Sequence, residues 1–237
     1  YDPEELIAYE IGYKSQFLDD TLQLNASVYA YDYSTIHTVG TEVTSIGGTT
    51  TSVLEAPGAE VMGIEAELLW LATDSLTLGG NFSYTPSKYT ESLLVSDSSR
   101  RDVPESLYPE FDTLTEDIKG NQILQVPEGK FTAWGSYNIP MNGGAQLELF
   151  GVYSWTDEVF YSPFETQEEK AEAYGRADLR ATWTSSNDSW AVSAFVNNIF
   201  DDVANLGIYR QSEAQFYRHN SGITLPRVYG MEFSYKL

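Results

Sequence analysis

Apolar and polar residues alternate with a period of two from one end of the sequence to the other. A period of two places every second side chain on the same face of an extended strand, whereas a helix requires a period near 3.6. No comparable stretch has the pattern of an amphipathic helix. About nine segments alternate in this way, at residues 7–13, 22–30, 62–70, 76–84, 131–139, 147–155, 177–183, 190–196 and 229–237. The sequence therefore predicts an all-β, antiparallel fold.

The connections between these segments are alternately tight and long. The tight ones lie near residues 18–21, 72–75, 140–144 and 185–189, and the long ones lie at roughly 37–60, 89–129, 157–173 and 199–225. Up-and-down membrane barrels have this asymmetry, because they carry short turns on the periplasmic side and long loops outside the cell. A soluble β-sandwich shares the period of two. The connections therefore favour an up-and-down transmembrane β-barrel, with a soluble sheet as the alternative.

The two faces of the predicted strands differ in polarity. The polar face, on which Arg180 lies near a tight turn, is predicted to line a hydrated lumen. Rings near strand ends, such as Trp155 and Trp190, are typical of the aromatic girdles that membrane barrels place at headgroup depth. The apolar face is predicted to contact hydrocarbon at positions that include Leu24, Ala26, Ile64, Leu68, Leu149, Leu179, Val192 and Phe233.

The composition excludes several classes of protein. The chain has no Cys, which excludes a disulfide scaffold, a thiol nucleophile and cysteine-ligated metal clusters. Its formal net charge of −22 would repel nucleic-acid phosphates, so no nucleic-acid partner is expected. An aromatic content of 14% argues against a disordered acidic chain. No apolar run reaches the roughly 18–20 residues that a membrane helix requires.

Five stretches, taken in order, resemble the barrel of the TonB-dependent outer-membrane receptors. They are AYEIGYKS at residues 8–15, LQLNASVYAYDY at 22–33, GIEAELLW at 63–70, VNNIFD at 196–201 and PRVYGMEFSYKL at 226–237. The last stretch is similar to the closing strand of that family, which usually ends in an aromatic residue, whereas this chain ends in Leu237. The resemblance implies a plugged barrel with an energy-coupling box that contacts TonB, and neither the plug nor the box occurs in these residues.

The number and direction of the predicted strands indicate an incomplete barrel. If the closing strand ends in the periplasm, as the resemblance implies, the first strand of this chain runs downward, whereas a complete barrel begins with an ascending strand. Bacterial barrels also have even numbers of strands, with about 22 in the plugged transporters. We therefore expect residues 1–237 to form the C-terminal portion of a larger barrel, without the plug domain and the earlier strands.

The long connections contain two kinds of charged cluster. The connection at 89–129 holds nine acidic residues, and the one at 157–173 is also acidic, but neither has the spacing of a calcium-binding loop. Solvated acidic loops that bind divalent ions weakly are therefore expected.

The last long connection combines planar cations with aromatic rings. Arginine forks suit carboxylate or phosphate groups of a ligand, and ring faces suit catecholates or sugars. The alternative is that the rings pack over the mouth of the barrel while the cations pair with Asp201, Asp202 or Glu213. The candidate ligand contacts are Tyr209, Arg210, Tyr217, Arg218 and His219, with Phe216 beside them.

The sequence does not predict an enzyme or a bound cofactor. It lacks the nucleophile elbow, the P-loop and the H-E-x-x-H zinc motif, and Ser221 beside His219 is too small a signal for a catalytic site. The resemblance implies active uptake of a scarce nutrient, most often a ferric siderophore, through the outer membrane of a Gram-negative bacterium. Its expected partners are the TonB complex, lipid and lipopolysaccharide. The alternatives are a passive porin-like barrel and a soluble carbohydrate-binding β-sandwich.

Overall fold

The computed structural model describes residues 3–43, 49–97, 114–210 and 218–236. No helix in these ranges is long and apolar enough to cross a membrane. Two short 3-10 turns occur, at Asn142–Gly144 and Gln167–Glu169. The strands are β1 (Glu5–Phe17), β2 (Leu22–Val43), β3 (Thr49–Ala56), β4 (Ala59–Leu71), β5 (Leu76–Tyr84), β6 (Ser87–Tyr89), β7 (Leu94–Asp97), β8 (Leu114–Asp117), β9 (Gly129–Pro140), β10 (Gln146–Thr156), β11 (Val159–Phe160), β12 (Lys170–Ala171), β13 (Tyr174–Thr184), β14 (Trp190–Asn197), β15 (Asn205–Arg210), β16 (His219–Ile223) and β17 (Val228–Tyr235).

Nine of these strands form one continuous antiparallel sheet. Its order is β1-β2-β4-β5-β9-β10-β13-β14-β17, so that each strand pairs with the next long strand of the chain. Within the described residues, β1 pairs only with β2, and β17 pairs only with β14, so the sheet has two open edges. The predicted strand number, antiparallel order and alternation of tight and long connections are confirmed. The soluble sandwich is wrong, because a sandwich requires two packed sheets.

The register aligns the apolar positions into rows on one face of the sheet. One such row joins Leu149 to Tyr137 on one side and to Ala181 on the other. Side chains on this face are strongly exposed, with Ile11 and Met231 each 78% accessible. Because water disfavours a large apolar surface, this face requires an apolar environment. It corresponds to the lipid-contacting face that the sequence predicts.

Aromatic rings gather at both ends of the apolar face. Phe131 and Trp155 stack at 5.9 Å between ring centroids near the long connections, and Trp190 lies 4.3 Å from Tyr235 near the tight turns. Two bands of rings at opposite ends of an apolar surface match the girdles of membrane barrels.

The polar face also contains aromatic rings. Trp134, Phe150 and Phe195 point to this face, because each shares the parity of polar residues on its strand. A Cβ at Gly79 would lie 2.3 Å from the indole of Trp134, which is its direct cross-strand neighbour. Gly230 has the same relationship to Phe195. Trp134 and Phe195 therefore lie over glycines of the neighbouring strands. Each ring covers backbone that has no side chain of its own.

The long connections contain strands that the sequence does not predict. It predicts a loop at 37–60, but β2 continues to Val43 and pairs with β3. The connections at 89–129, 157–173 and 199–225 likewise contain β7 and β8, β11 and β12, and β15 and β16. These segments pair through backbone groups and lack a regular apolar alternation, so periodicity cannot find them.

A small hydrophobic core joins the connections at 37–60 and 89–129 beside the start of β4. The ring of Tyr89 is buried, and its hydroxyl donates a hydrogen bond to Oγ1 of Thr38 over 3.0 Å. Burial raises the pKa of Tyr89 above its ordinary value. The buried members of the core are Ala56, Ala59, Tyr89, Val95 and Ile118. Residues from two successive long connections therefore pack against one another.

Candidate functional site

The predicted ligand contacts lie on the hairpin of β15 and β16. Tyr209 is 60% exposed and faces Asn220 in the ladder, and Arg210 faces His219. Arg218 and His219 are also exposed. The side chain of Arg210 and all of Tyr217, together with Phe216, fall outside the described part of the chain. The structure thus brings three of the five predicted residues to one exposed hairpin.

A buried asparagine fixes the base of this hairpin. Asn198 is fully buried, and its amide donates hydrogen bonds to the carbonyl oxygens of Asp202, over 2.8 Å, and Leu225, over 3.1 Å. Its backbone N–H donates to Oδ1 of Asp178 over 2.7 Å. Asn198 also has a φ of 55°, a left-handed conformation that asparagine tolerates better than most residues. The VNNIFD stretch therefore ties the end of β14 to the chain that leads into β17.

An ion pair completes this base. The backbone N–H of Arg227 donates to Oδ1 of Asp201 over 2.7 Å, and its guanidinium donates to the carbonyl of Ile199 over 3.0 Å. Asp201 is one of the acids that the sequence offers as a partner for the loop cations, but in the structure it is engaged by Arg227. Arg218 forms no ion pair within the described residues.

The acidic connections are stabilised by local hydrogen bonds. Asp117 accepts hydrogen bonds from the hydroxyl of Ser92 over 2.8 Å and from the backbone N–H groups of Leu93 and Lys119, each over 3.1 Å. The Ser92 hydrogen bond is the main cause of a lowered pKa at Asp117. Among the described residues, no group of three acidic or histidine side chains is arranged to hold a metal ion. Residues 98–113, which carry four of the acids, lie outside the described part.

Lys170, in the connection at 157–173, is neutralised by two acidic side chains. Nζ of Lys170 lies 3.0 Å from Glu158 and 3.2 Å from Glu172. The hydrogen bond to Glu158 is the main cause of a raised pKa at Lys170. This pairing fixes β12 to Glu158, the residue before β11. β12 lies beside β15 of the candidate hairpin.

Polar side chains on the polar face near the tight turns make hydrogen bonds to one another. Arg180 donates to Oε2 of Glu232 over 2.7 Å, and its guanidinium lies 5.1 Å from the ring centroid of Phe195. Ser136 donates to Glu148 over 2.7 Å. Arg180 therefore lies on the polar wall, as the sequence predicts, but as a paired residue.

The polar face near β1, β2 and β4 is acidic. An open pocket of about 410 Å³ lies there, and Asn25 donates to Glu67 over 3.1 Å within it. The pocket also contains Glu10, Lys14 and Glu65. Acidic side chains therefore outnumber the single cation in this part of the wall.

The described residues do not bring Ser221 and His219 together as a catalytic pair. The hydroxyl of Ser221 donates to Oδ1 of Asn205 over 2.7 Å and to the carbonyl of Gly222 over 3.1 Å. A nucleophile would need its hydroxyl aligned with the histidine ring. The geometry therefore gives no support to hydrolysis at this position.

A single antiparallel sheet with an apolar outer face, a polar inner face and alternating short turns and long loops defines a segment of a transmembrane β-barrel. A family model described as "TonB dependent receptor-like, beta-barrel" matches residues 1–199. The chain belongs to this family.

Two curated relatives are receptors by name. The "Ferric-pyoverdine 358 receptor" of Pseudomonas putida is 25% identical over 206 residues, which cover 84% of this chain and 21% of the relative. The "Probable TonB-dependent siderophore receptor PiuA" of Acinetobacter baumannii is 25% identical over 200 residues, covering 84% of this chain and 23% of the relative. The chain therefore spans between a fifth and a quarter of the length of these relatives.

Solved structures share the fold. The crystal structure of PiuA from A. baumannii matches with a TM-score of 0.72 at 21% identity, covering 99% of this chain and 29% of that chain. The ferric yersiniabactin uptake receptor FyuA from Yersinia pestis matches with a TM-score of 0.71 at 16% identity, covering 98% of this chain and 30% of that chain. At these identities, the structural likeness concerns the fold.

Proposed function

We propose that this chain is part of an outer-membrane receptor of a Gram-negative bacterium that imports a ferric siderophore by TonB-dependent transport. The observation that carries the proposal is that two curated relatives, each matched over 84% of this chain, are named as a ferric-pyoverdine receptor and a probable TonB-dependent siderophore receptor. The apolar outer face supports a location in the lipid of the outer membrane, in contact with lipopolysaccharide. The energy-transducing complex is its proposed partner.

The proposal includes segments outside these residues. The open edges at β1 and β17 leave backbone groups unpaired, and such groups are very costly in hydrocarbon. We propose that earlier strands of the same barrel pair with these edges, and that a plug domain occupies the lumen and contacts TonB. The relatives support this because they are four to five times longer than the matched region.

The hairpin of β15 and β16 is the proposed point of first contact with the ligand. Tyr209, Arg218 and His219 are exposed there, and Arg210 and Tyr217 belong to the same stretch. Rings and planar cations would bind the aromatic and anionic groups of a ferric chelate. The barrel itself is proposed to need no cofactor and to catalyse no reaction.

Uptake of radioactive iron by cells that express the full-length receptor tests the function. Cells without other siderophore receptors are given a panel of ferric siderophores, with and without an intact TonB complex. The proposal requires uptake of at least one complex, and that this uptake stop when TonB is lost. Uptake that is independent of TonB would instead identify a passive porin-like barrel.

Replacing Arg210 and Arg218 together by Ala tests the contact residues. We expect binding to whole cells to weaken, with a lost charge-assisted hydrogen bond contributing about 1.5–3 kcal/mol where it is desolvated. Arg180→Ala is the control, because this paired arginine lies far below the loops, and it should leave initial binding unchanged. Equal binding by the double variant and the parent would contradict the role of this hairpin.

A further inference from the structure

Two cations on the polar wall, Lys130 and Arg176, have no carboxylate within ion-pair distance among the described residues. Five other described cations lie within 4.0 Å of a carboxylate oxygen, namely Lys88, Lys119, Lys170, Arg180 and Arg227. Lys14, Arg218 and Lys236 also lack such a partner there, but they lie on β1, beside β16 and beyond β17. Lys130 is exposed, and Arg176 is half-buried.

The register places these two cations close together. Lys130 faces Thr156, which faces Tyr174, and Arg176 follows Tyr174 by two residues on the same face. Neighbouring strands are about 4.8 Å apart and the rise is about 3.4 Å per residue, so the two Cα atoms are about 12 Å apart. Both long side chains can therefore reach an anion held between them.

Hydroxyl groups lie between the cations. Thr132 faces Ser154, and Ser154 faces Arg176, in one row across β9, β10 and β13. Within the described part of the chain, neither hydroxyl makes a side-chain hydrogen bond. The rows nearer the tight turns differ, because Thr182 and Ser193 are joined over 2.9 Å and Ser136 is bound to Glu148. The hydroxyls of Thr132 and Ser154 are therefore available to a ligand, whereas those nearer the tight turns are already hydrogen-bonded.

The position of the pair suits a ligand that enters from outside. Lys130 is the second residue of β9, directly after the long connection, and Arg176 is the third residue of β13. The nearest acid of the wall is Asp178, two residues after Arg176 on the same face, and its Oδ1 accepts a hydrogen bond from the backbone N–H of Asn198. Glu65 and Glu67 lie on β4, beyond β5. The wall is therefore acidic at β4, whereas the two cations outnumber the single acid at the upper ends of β9 and β13.

We infer that Lys130 and Arg176, with Thr132, Ser154 and Thr156, form an anion-binding site on the upper lumen wall for the negatively charged groups of an iron chelate. The inference rests on the proposed function. It adds a second contact for the same ligand, on the lumen wall below the hairpin of β15 and β16, and it specifies that this ligand is anionic. Charged donors with unsatisfied hydroxyls between them would bind carboxylate or catecholate oxygens. A ferric tris-catecholate complex carries three negative charges, whereas a ferric tris-hydroxamate complex is neutral, so the site should favour the first.

Binding to the purified full-length receptor tests the site. The dissociation constant is measured by quenching of tryptophan fluorescence with three probes: the ferric tris-catecholate, the iron-free trisulfonate dye pyranine, and the neutral ferric tris-hydroxamate. We expect Lys130→Gln and Arg176→Gln each to weaken binding of both anions about tenfold, and the double variant about a hundredfold. Binding of the neutral complex should change less than threefold. Added salt should weaken anion binding to the parent more than to the double variant.

Lys236→Gln is the matched control, because it removes one unpaired positive charge near the tight turns, at the opposite end of the wall. It should leave all three dissociation constants within twofold of the parent. Arg176→Lys should restore part of the affinity, since it keeps the charge but loses the fork.

The outcomes separate this inference from the proposed function. If the parent binds or imports a ferric complex and the double variant binds the anions as tightly, the anion site is wrong and the proposed function stands. If the parent imports no ferric complex but binds the two anions through Lys130 and Arg176, the site stands and the uptake proposal fails. If the double variant melts at a lower temperature with unchanged anion binding, the cations pair with protein carboxylates, and the inference is overturned. A parent that binds none of the anions overturns it as well.

Discussion

The side-chain amide of Asn198 donates a hydrogen bond to the backbone carbonyl of Leu225, 27 residues later in the chain, over 3.1 Å. This contact closes the last long connection at its base, beside the point where β14 ends and the paired strand β17 begins. The hairpin with the candidate ligand contacts is therefore attached to a rigid corner of the sheet.

Replacing Asn198 by Ala is expected to destabilise the protein by about 3 kcal/mol, because the three hydrogen bonds of its buried side chain are lost. The amide donates to the carbonyls of Asp202 and Leu225, and its Oδ1 accepts from the backbone N–H of Asp202. Urea unfolding of the full-length receptor in lipid vesicles measures this change. Asn198→Gly keeps the left-handed backbone conformation and should cost less than Ala, and Asn197→Ala should cost under about 1 kcal/mol. Equal stability of the Ala variants at 197 and 198 would contradict the structural role of this corner.

An arginine on the apolar face is expected to be far more costly than one on the polar face. Leu149→Arg should reduce the free energy of folding into lipid by about 2–4 kcal/mol, because Leu149 lies in the middle of β10 and faces hydrocarbon. Gln146→Arg, on the other face of the same strand, should cost much less. Similar costs for the two variants, measured by folding into vesicles, would exclude this assignment of the lipid and lumen faces.

The contact between Gly79 and Trp134 is expected to be intolerant of added volume. A Cβ at residue 79 would lie 2.3 Å from the indole. We therefore expect Gly79→Ala to cost about 1–3 kcal/mol, as overpacked sites do. Gly222→Ala is the control, since nothing lies within 4 Å of its added Cβ.

A double-mutant cycle checks the cause of that cost. In a Trp134→Ala background, Gly79→Ala should become nearly neutral, because the ring that it would strike is gone. An unchanged cost in both backgrounds would mean that the backbone of β5 limits this position instead.

The loop around Asp117 is expected to loosen in acid. The pKa of Asp117 is lowered in the folded protein, chiefly by the Ser92 hydroxyl. A lowered pKa stabilises the fold above the pKa of the unfolded chain, and this stabilisation is lost as the pH falls through the folded value. Hydrogen exchange at residues 92–97 and 114–119, corrected for its intrinsic pH dependence, should therefore rise below about pH 4. Asp117→Asn should show faster exchange at neutral pH and a smaller change in acid.

The isolated chain 1–237 is not expected to form a closed barrel. β1 and β17 would leave two rows of unpaired backbone groups in hydrocarbon, each group costing several kcal/mol. The chain alone should aggregate, join edge to edge or fail to insert into vesicles. A monomeric, protease-resistant and heat-modifiable barrel from these residues alone would show that they close without further strands.

Periodicity in the sequence predicts most of the sheet because alternation depends only on the local geometry of an extended chain. Leu24, Leu68 and Leu149 could be assigned to the outer face for this reason. Residue polarity alone misleads at Trp134, Phe150 and Phe195, because an aromatic ring suggests the lipid face whereas strand parity places each of these rings inside. Parity on β9, β10 and β14, applied strictly, is the signal that finds them.

The candidate site likewise combines features that the sequence predicts with features that only the tertiary structure shows. The amino-acid sequence was sufficient for the nine strands and the alternating connections, since each depends on neighbouring residues, but not for the hairpin of β15 and β16. Tertiary structure was required for the corner at Asn198, the burial of Tyr89 and the pairing of Arg227 with Asp201, because each joins residues far apart in the chain. The same holds for Lys130 and Arg176, whose proximity follows from the register of three strands and whose free charges follow from where the acidic residues lie.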